Sequence, residues 1–222
     1  MRRIILNFHG IGEPKRPLET GEAAYWVTEG FFEDCVRLAE QKSDQVETQF
    51  TFDDGNLSDL EIGASVLARA GRTATFFVLA GRIGTKGSLS AQDIRHLADA
   101  GHQIGNHGAD HVDWVKLDAD GRTREWDEAR QIVGDAAGMP VKDVAIPFGR
   151  YRGNVIRGLR QRGYTRIFSS DGGSWVDGML PIPRTSPRAD MTLADIEHIL
   201  MGRGSIAKKL RRRMAMTVKR WV

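Results

Sequence analysis

The 222-residue chain predicts a single-domain α/β fold, a distorted (β/α)7-type barrel of parallel strands with helices outside. Seven short runs of apolar, β-branched or aromatic residues alternate with stretches whose apolar residues recur every three or four positions. The length suits one hydrophobic core, and no linker or internal repeat interrupts the chain before about residue 204. A doubly wound open sheet has the same alternation, but seven strands favour the barrel.

The predicted strands and helices follow one another along the whole of this body. The strands are predicted at residues 4–8, 46–52, 74–78, 102–105, 144–146, 166–168 and 180–183. The helices are predicted at residues 22–41, 59–70, 91–100, 122–137, 154–162 and 193–201. Ser90 with Asp93, and Thr192 with Asp195, have the spacing of capping boxes at two of the helix starts.

Composition limits the kinds of site that the chain can build. Cys35 is the only cysteine, so intrachain disulfides and cysteine-based metal sites are excluded. The net charge is +3, and seven cations lie within residues 205–222, where there is no acid. Removing these seven charges leaves −4 on residues 1–204. We therefore predict a mildly acidic folded body that does not bind nucleic acid, followed by a basic amphipathic tail.

The sequence also gives expectations about location. No apolar run approaches the roughly 18 residues of a membrane-spanning helix. The apolar start of the chain is broken at Asn7 and His9 before an export signal forms, so we expect a cytoplasmic protein. The tail can lie on an anionic membrane surface, where each basic residue contributes about 1 kcal/mol, or it can be a solvated, frayed terminus. The oligomeric state is not predicted.

The strongest local signal is a pair of adjacent acids after an apolar strand, where residues 51–55 read Thr-Phe-Asp-Asp-Gly. Active sites of parallel α/β folds lie at the carboxyl ends of strands. The chain turns at such an end, so Asp53 and Asp54 can both reach one pocket. Asp-Gly is equally common in plain turns, and the motif alone leaves both interpretations open.

The second signal is a pair of histidines after the fourth predicted strand. His107 and His111 are four positions apart, so they face the same way if the segment makes one helical turn. Two imidazoles with one carboxylate form a three-ligand metal site that keeps a position open for water, which is the catalytic pattern. The alternative is a surface loop that holds two histidines by chance.

Together the two clusters resemble the polysaccharide deacetylase family, also called the NodB-homology or carbohydrate esterase family 4 fold. Its first motif, T-F-D-D-G, matches at every position. Its second, H-[ST]-x-x-H, matches except at Gly108, where the family has a hydroxyl residue that steadies the loop by hydrogen bonding. The resemblance covers about residues 4–200 and makes residues 1–204 a catalytic domain of this kind.

The resemblance implies a metal-dependent hydrolysis of an N-acetyl group on a sugar. Asp54, His107 and His111 fall at the metal-ligand positions, and Asp53 falls at the general-base position. Such ligands suit Zn²⁺ best and also accept Co²⁺, Ni²⁺ or Mn²⁺. The metal lowers the pKa of a water molecule and polarises the acetamide carbonyl, while the base takes the proton.

The third family motif, R-x-P-[YFW], is altered in this chain, where residues 145–148 read Ala-Ile-Pro-Phe. The resemblance implies that the Phe148 backbone N–H stabilises the oxyanion, a contribution of about 3 kcal/mol. The arginine that orients the catalytic acid in the family is replaced by Ala145. Arg184, at the end of the last strand, is the candidate replacement, although it can also be a surface arginine. Tyr151 is a candidate substrate-binding residue.

The fourth and fifth motifs are weaker. Residues 171–175, Asp-Gly-Gly-Ser-Trp, resemble D-x-x-D-W. The resemblance implies that Asp171 pairs with the orienting arginine and that Trp175 forms a wall of the sugar pocket, so both are candidate substrate-binding residues; a simple turn is the alternative. The L-x-H motif of the general acid is not found. His198 lies off the buried stripe of its helix, so His9, after the first strand, is the better candidate for the general acid.

These features predict an N-deacetylase of a polysaccharide, or of an oligosaccharide or lipid-linked precursor, in exopolysaccharide biosynthesis. Without an export signal, the predicted substrate is intracellular and the tail holds the enzyme at the inner membrane surface. Two other hypotheses remain open. The first is an amidohydrolase that acts on a small non-sugar amide, and the second is a catalytically silent sugar-binding relative.

Overall fold

The computed structural model describes residues 1–203 and 216–219. The strands are β1 (Arg2–Phe8), β2 (Gly10–Ile11), β3 (Trp26–Val27), β4 (Val46–Phe52), β5 (Ala74–Val78), β6 (Gln103–Asn106), β7 (Asp143–Ala145), β8 (Arg166–Ser169) and β9 (Ile182–Pro183). Seven of them form one sheet in the order β1-β4-β5-β6-β7-β8-β9, and every neighbouring pair is parallel.

The sheet closes almost completely into a barrel. Thr185, just after β9, donates its N–H to the Ile5 carbonyl at 2.9 Å and accepts the Asn7 N–H at 2.9 Å. These bonds join the last strand to the first. The predicted single-domain parallel barrel of seven strands is therefore confirmed.

Helices surround the barrel as predicted. They are α1 (Glu29–Gln41), α2 (Ser65–Arg69), α3 (Ala91–Asp99), α4 (Ala119–Arg122), α5 (Ala129–Ala137), α6 (Gly153–Gln161) and α7 (Leu193–Met201). A π-helical turn precedes α2, and another, Thr123–Glu128, joins α4 to α5. The capping boxes of Ser90 with Asp93 and of Thr192 with Asp195 are both formed. No helix of the described residues is long and apolar enough to cross a membrane.

The helix predicted at residues 22–41 begins later than expected. Glu22–Tyr25 is a short 3-10 turn, and β3 follows and pairs with β2 in a small separate sheet. Thr28 caps α1 by accepting the Phe31 N–H on its side chain at 3.2 Å. The apolar spacing of this stretch therefore covers a strand as well as a helix.

Apolar side chains fill a layer outside the strands, which consists of two clusters, and a separate smaller cluster inside the barrel. Phe8, Phe52 and Phe76 belong to the larger layer between the strands and the helices, where the Phe52 and Phe76 rings stack at 4.7 Å. Alternate strand positions supply a smaller cluster that fills the barrel interior, including Phe77 and Phe168, whose rings lie 5.1 Å apart. The cleft described below lies at the end of this interior cluster that is nearest the carboxyl ends of the strands.

Most of the predicted tail lies outside the described residues. Only residues 216–219, which are helical, fall within them. Lys219, in that turn, contacts the body of the protein near residue 171.

Candidate active site

The motif residues meet at the carboxyl edge of the barrel. Asp53 and Asp54 directly follow β4, and His107 and His111 follow β6. Asp54 has a φ of 76° and Gly55 a φ of 68°, so two successive left-handed residues turn the chain sharply. Both carboxyl groups thereby reach the same cleft although they are neighbours in sequence.

Three of these side chains converge on one point. The Asp54 Oδ1 atom lies 3.6 Å from His107 Nε2 and 3.7 Å from His111 Nε2. One ligand atom from each residue falls within 4.8 Å of the others. Asp54 is 1% exposed, and its Oδ1 has no hydrogen-bond partner among the residues that the structure describes. A buried carboxylate oxygen without a partner is costly unless a cation lies beside it.

The outer hydrogen bonds of the two imidazoles fix their tautomers. His107 donates from Nδ1 to the Ala145 carbonyl at 2.9 Å, and His111 donates from Nδ1 to Glu19 Oε2 at 2.8 Å. Burial lowers the pKa of His107, which favours the neutral ring. Both Nε2 atoms therefore face the Asp54 carboxylate. This donor set fits a divalent cation, with second ligand-shell bonds typical of metal-binding histidines.

Asp53 lies beside this group, with its Oδ2 3.9 Å from His107 Nε2, and is bound by an arginine. Arg184, 1% exposed, binds it at two points, with Nη1 to Oδ1 at 2.6 Å and Nη2 to Oδ2 at 2.8 Å. Asn7 Nδ2 donates to Oδ2 at 3.0 Å. Burial alone would raise the pKa of Asp53, but the Arg184 charge and hydrogen bonds outweigh it and hold the pKa well below its usual value. Arg184 thus lies where the sequence analysis expects a replacement for the missing motif arginine.

His9 lies on the other side of Asp53. Its Nε2 is 3.9 Å from Asp53 Oδ2, and its side chain is 20% exposed. The Tyr25 ring packs beside the imidazole with centroids 5.1 Å apart. His9 therefore lies close to Asp53 and lines the open cleft.

Phe148 also lines the cleft. Its φ of 56° is left-handed, an unusual conformation for an aromatic residue. Its ring lies on the His111 imidazole with centroids 4.3 Å apart. The Phe148 N–H has no acceptor within the described residues, so it is free to bind an oxygen of a ligand.

The cleft has a volume of about 320 Å³ and contains all four motif residues. One wall is formed by residues of the segment 19–25, and another by Phe148, Gly149 and Arg150. This first wall carries no recognisable motif, and sequence analysis missed it because the segment reads as the start of a helix.

A family model described as polysaccharide deacetylase matches residues 40–167, a span that contains both metal-site motifs. The chain belongs to the polysaccharide deacetylase family. It is 24% identical over 124 residues to YxkH of Bacillus subtilis, a protein named for polysaccharide deacetylases, covering 56% of this chain and 44% of that one. It is 27% identical over 135 residues to the peptidoglycan-N-acetylglucosamine deacetylase of Bacillus cereus, covering 59% and 47%. The matches span less than half of either relative.

The fold of this deacetylase-family chain matches solved structures over a longer stretch. The deacetylase PplD of Streptococcus pyogenes, solved with acetate, superposes with a TM-score of 0.78 over 90% of this chain and 98% of that one. The two sequences are 18% identical, so the likeness is one of fold. The expectation of a NodB-type barrel is confirmed.

Two of the predicted substrate-binding residues, Asp171 and Tyr151, do not take the positions that the sequence analysis expects. Asp171 does not pair with Arg184. Its Oδ2 accepts hydrogen bonds from the hydroxyls of Tyr151 at 2.9 Å and Ser169 at 2.7 Å. Its Oδ1 accepts one from Lys219 Nζ at 2.6 Å. Tyr151 is 2% exposed and is absent from the lining of the cleft among the described residues. The predicted substrate contacts of Asp171 and Tyr151 are therefore corrected: they form a buried support behind the cleft.

Trp175 lies far from the position predicted for a wall of the sugar pocket. The Trp175 backbone N–H donates to the Arg3 carbonyl at 3.2 Å, and the Arg3 guanidinium lies 4.9 Å from the centre of the Trp175 ring. Arg3 is near the amino end of β1, whereas the cleft is at the carboxyl end. Trp175 packs on the apolar cluster inside the barrel and closes its opposite end, so the prediction is wrong.

Sequence analysis missed three polar residues that support the site. Asn7 interrupts the apolar β1 strand, which is a signal that could have identified it. Glu19 lies in the unassigned wall and gives no such signal. Glu125 stands inside a predicted helix, where an acid is ordinarily solvated, yet it is 1% exposed.

Proposed function

We propose that this chain is a metal-dependent N-deacetylase that releases acetate from a polysaccharide, or from an oligosaccharide or lipid-linked precursor, in exopolysaccharide biosynthesis. One observation supports this most directly. Asp54 and the Nε2 atoms of His107 and His111 converge on one point, while Asp53, the next residue along the chain, is bound by Arg184. A pure sugar-binding module has no need for a second carboxylate beside a metal site.

In this proposal, Asp54, His107 and His111 hold the divalent cation, with Zn²⁺ best suited to the ligand set. When bound, the cation supplies Lewis acidity and lowers the pKa of a water molecule towards neutrality. The remaining steps belong to side chains and backbone of the chain itself.

Asp53 accepts the proton of the attacking water. Its pairing with Arg184 keeps the carboxylate ionised and aimed into the cleft. The Phe148 N–H donates to the acetamide oxygen as negative charge develops there. The C–N bond then breaks, His9 donates a proton to the leaving amine, and acetate and the free amino sugar are the products.

The cell location and membrane contact are further parts of the proposal. The seven cations of residues 205–222 support binding to an anionic inner-membrane surface, which suits a lipid-linked or other intracellular N-acetylated substrate. Sedimentation with vesicles containing anionic lipid tests the contact. The full chain should co-sediment at low salt, and a chain truncated after residue 204 should remain in the supernatant. Equal behaviour of the two would contradict the membrane role.

Acetate release tests the activity. The metal-loaded protein is incubated with N-acetylglucosamine oligomers, with and without chelator, beside the Asp53→Asn variant and the exposed Asp99→Asn control on α3. We expect acetate from the parent and from Asp99→Asn, and none after chelation or from Asp53→Asn. Oligomer binding without acetate would favour the silent relative. Turnover confined to small non-sugar amides would favour the amidohydrolase.

A further inference from the structure

A buried acid lies directly beneath the loop that joins the two histidines. The Glu125 carboxylate accepts the Ala109 N–H at 2.9 Å on Oε2 and the Asp110 N–H at 3.1 Å on Oε1. Trp114 Nε1–H also donates to Oε2, at 3.3 Å. All three partners are donors, so the side chain serves only as an acceptor, as a carboxylate does.

The Gly108 position is adapted to this acid. A Cβ atom built there would lie 2.2 Å from Glu125 Oε2, well inside contact distance. Gly108 also has a φ of 93°, which side chains disfavour. The family's serine or threonine is therefore sterically incompatible with Glu125 in this arrangement. Glycine at 108 and glutamate at 125 form a matched pair.

The fold delivers Glu125 through the π-helical turn between α4 and α5, where Glu125 and Trp126 are both buried. Turns of this kind occur often at functional sites. Asn106 at the end of β6 ties the two segments together. Its Nδ2 donates to the Glu125 carbonyl at 2.9 Å, and its Oδ1 accepts the Gly108 N–H at 2.9 Å.

We propose that Glu125 is a positioning residue for the metal-binding loop, and that it performs from outside the loop the bonding that a hydroxyl at position 108 provides in the family. By binding two successive N–H groups between His107 and His111, it sets the spacing of the two imidazoles. This inference rests on the proposed metal site and adds a residue that none of the family motifs includes.

The isosteric Glu125→Gln variant tests the proposal. An amide presents an NH₂ group to at least one of the three N–H donors, so the loop must shift although the volume is unchanged. Glu128→Gln, an exposed position of the same helical stretch, is the matched control. We expect Zn²⁺ affinity, measured by chelator competition, to fall about tenfold or more in Glu125→Gln and to stay within twofold in Glu128→Gln.

A second measurement separates positioning from general stability. At saturating Co²⁺, the visible absorption spectrum of folded Glu125→Gln should differ from that of the parent, whereas the Glu128→Gln spectrum should match it. An unchanged spectrum together with unchanged Zn²⁺ affinity in Glu125→Gln would overturn the proposal.

If Glu125→Gln does not fold, amide hydrogen exchange in the parent protein tests the same contacts without the variant. In the parent, the Ala109 and Asp110 amides should exchange about as slowly as those of β6, because they donate to a buried carboxylate. Exchange as fast as in exposed loops would overturn the inference. If the parent binds neither Zn²⁺ nor Co²⁺ while these amides remain protected, the proposed function fails and the loop contact stands.

Discussion

Asp53 and Arg184 lie 131 positions apart in the sequence, and their side chains form a two-point ion pair at the carboxyl end of the barrel. The Arg184 guanidinium also lies over Phe77 of the cluster inside the barrel, 5.0 Å from the centre of its ring. The family's third motif places an arginine at position 145, which is alanine in this chain. The same charge is therefore supplied from beyond the last strand.

The first prediction concerns this ion pair. Arg184→Gln leaves Asp53 buried without a cation, and breaking a buried pair costs about 3–5 kcal/mol of unfolding free energy. Denaturant unfolding of the metal-free protein should show a loss of this size. The partly exposed Arg188→Gln on the same segment should change stability little. A loss of less than about 1 kcal/mol in Arg184→Gln would contradict the buried pair.

The second prediction concerns Glu19, in the cleft wall formed by residues of the segment 19–25. Glu19 fixes the His111 ring, and Arg82 in turn binds Glu19. Removing such a partner typically weakens metal binding about 10- to 100-fold, and we expect this of Glu19→Gln in Zn²⁺ competition assays. Glu13→Gln, at an exposed position six residues before Glu19, is the control. Equal affinities in both variants would show that Glu19 does not orient His111.

The third prediction separates the acid from the metal site. His9→Asn should lower kcat on an N-acetylated oligomer by about 100-fold or more, because the leaving amine loses its proton donor. Bound Zn²⁺ per chain should remain unchanged, since His9 is not among the three converging residues. The solvent-exposed His96→Asn should have full activity. Turnover of His9→Asn within threefold of the parent would assign the acid to another group.

The fourth prediction concerns pH and stability. His102 is 5% exposed, accepts the Ala74 N–H at 3.1 Å, and burial lowers its pKa. Below about pH 6.5, His102 therefore binds a proton more readily in the unfolded chain than in the folded one. Its contribution to the free energy of unfolding is complete above that pH and is lost as the pH falls below it. As the pH is lowered below about 6.5, the free energy of unfolding should fall less steeply in His102→Asn than in the parent. An unchanged slope would contradict the assignment.

The sequence predicted the barrel because strand and helix periodicities are local. Seven strands and two capping boxes follow from spacing within a few residues of each other. The wall at residues 19–25 was missed because its conformation depends on contacts such as Glu19 with His111, which no local pattern encodes. Trp175 was misplaced for a related reason, since a motif fixes a residue's neighbours in sequence and not the end of the barrel at which it packs.

The site was predictable where chemistry is concentrated in short motifs. The motifs around Asp53 and His107 brought together the residues that the structure places in one cleft. Glu125 was not predictable, because a helical acid is ordinarily solvated and only the fold shows that the loop donates to it. Asp171 was assigned to the wrong partner because its acceptor role is directed by Tyr151 and Ser169.

Anomalous diffraction from crystals of the zinc-loaded protein, recorded on both sides of the zinc absorption edge, tests the central claim most directly. The account predicts one strong peak about 2.0–2.2 Å from Asp54 Oδ, His107 Nε2 and His111 Nε2, with Asp53 bonded to Arg184 and not to the ion. A peak at other residues, no peak within reach of these three atoms, or an ion bound by Asp53 in place of Asp54 would contradict it.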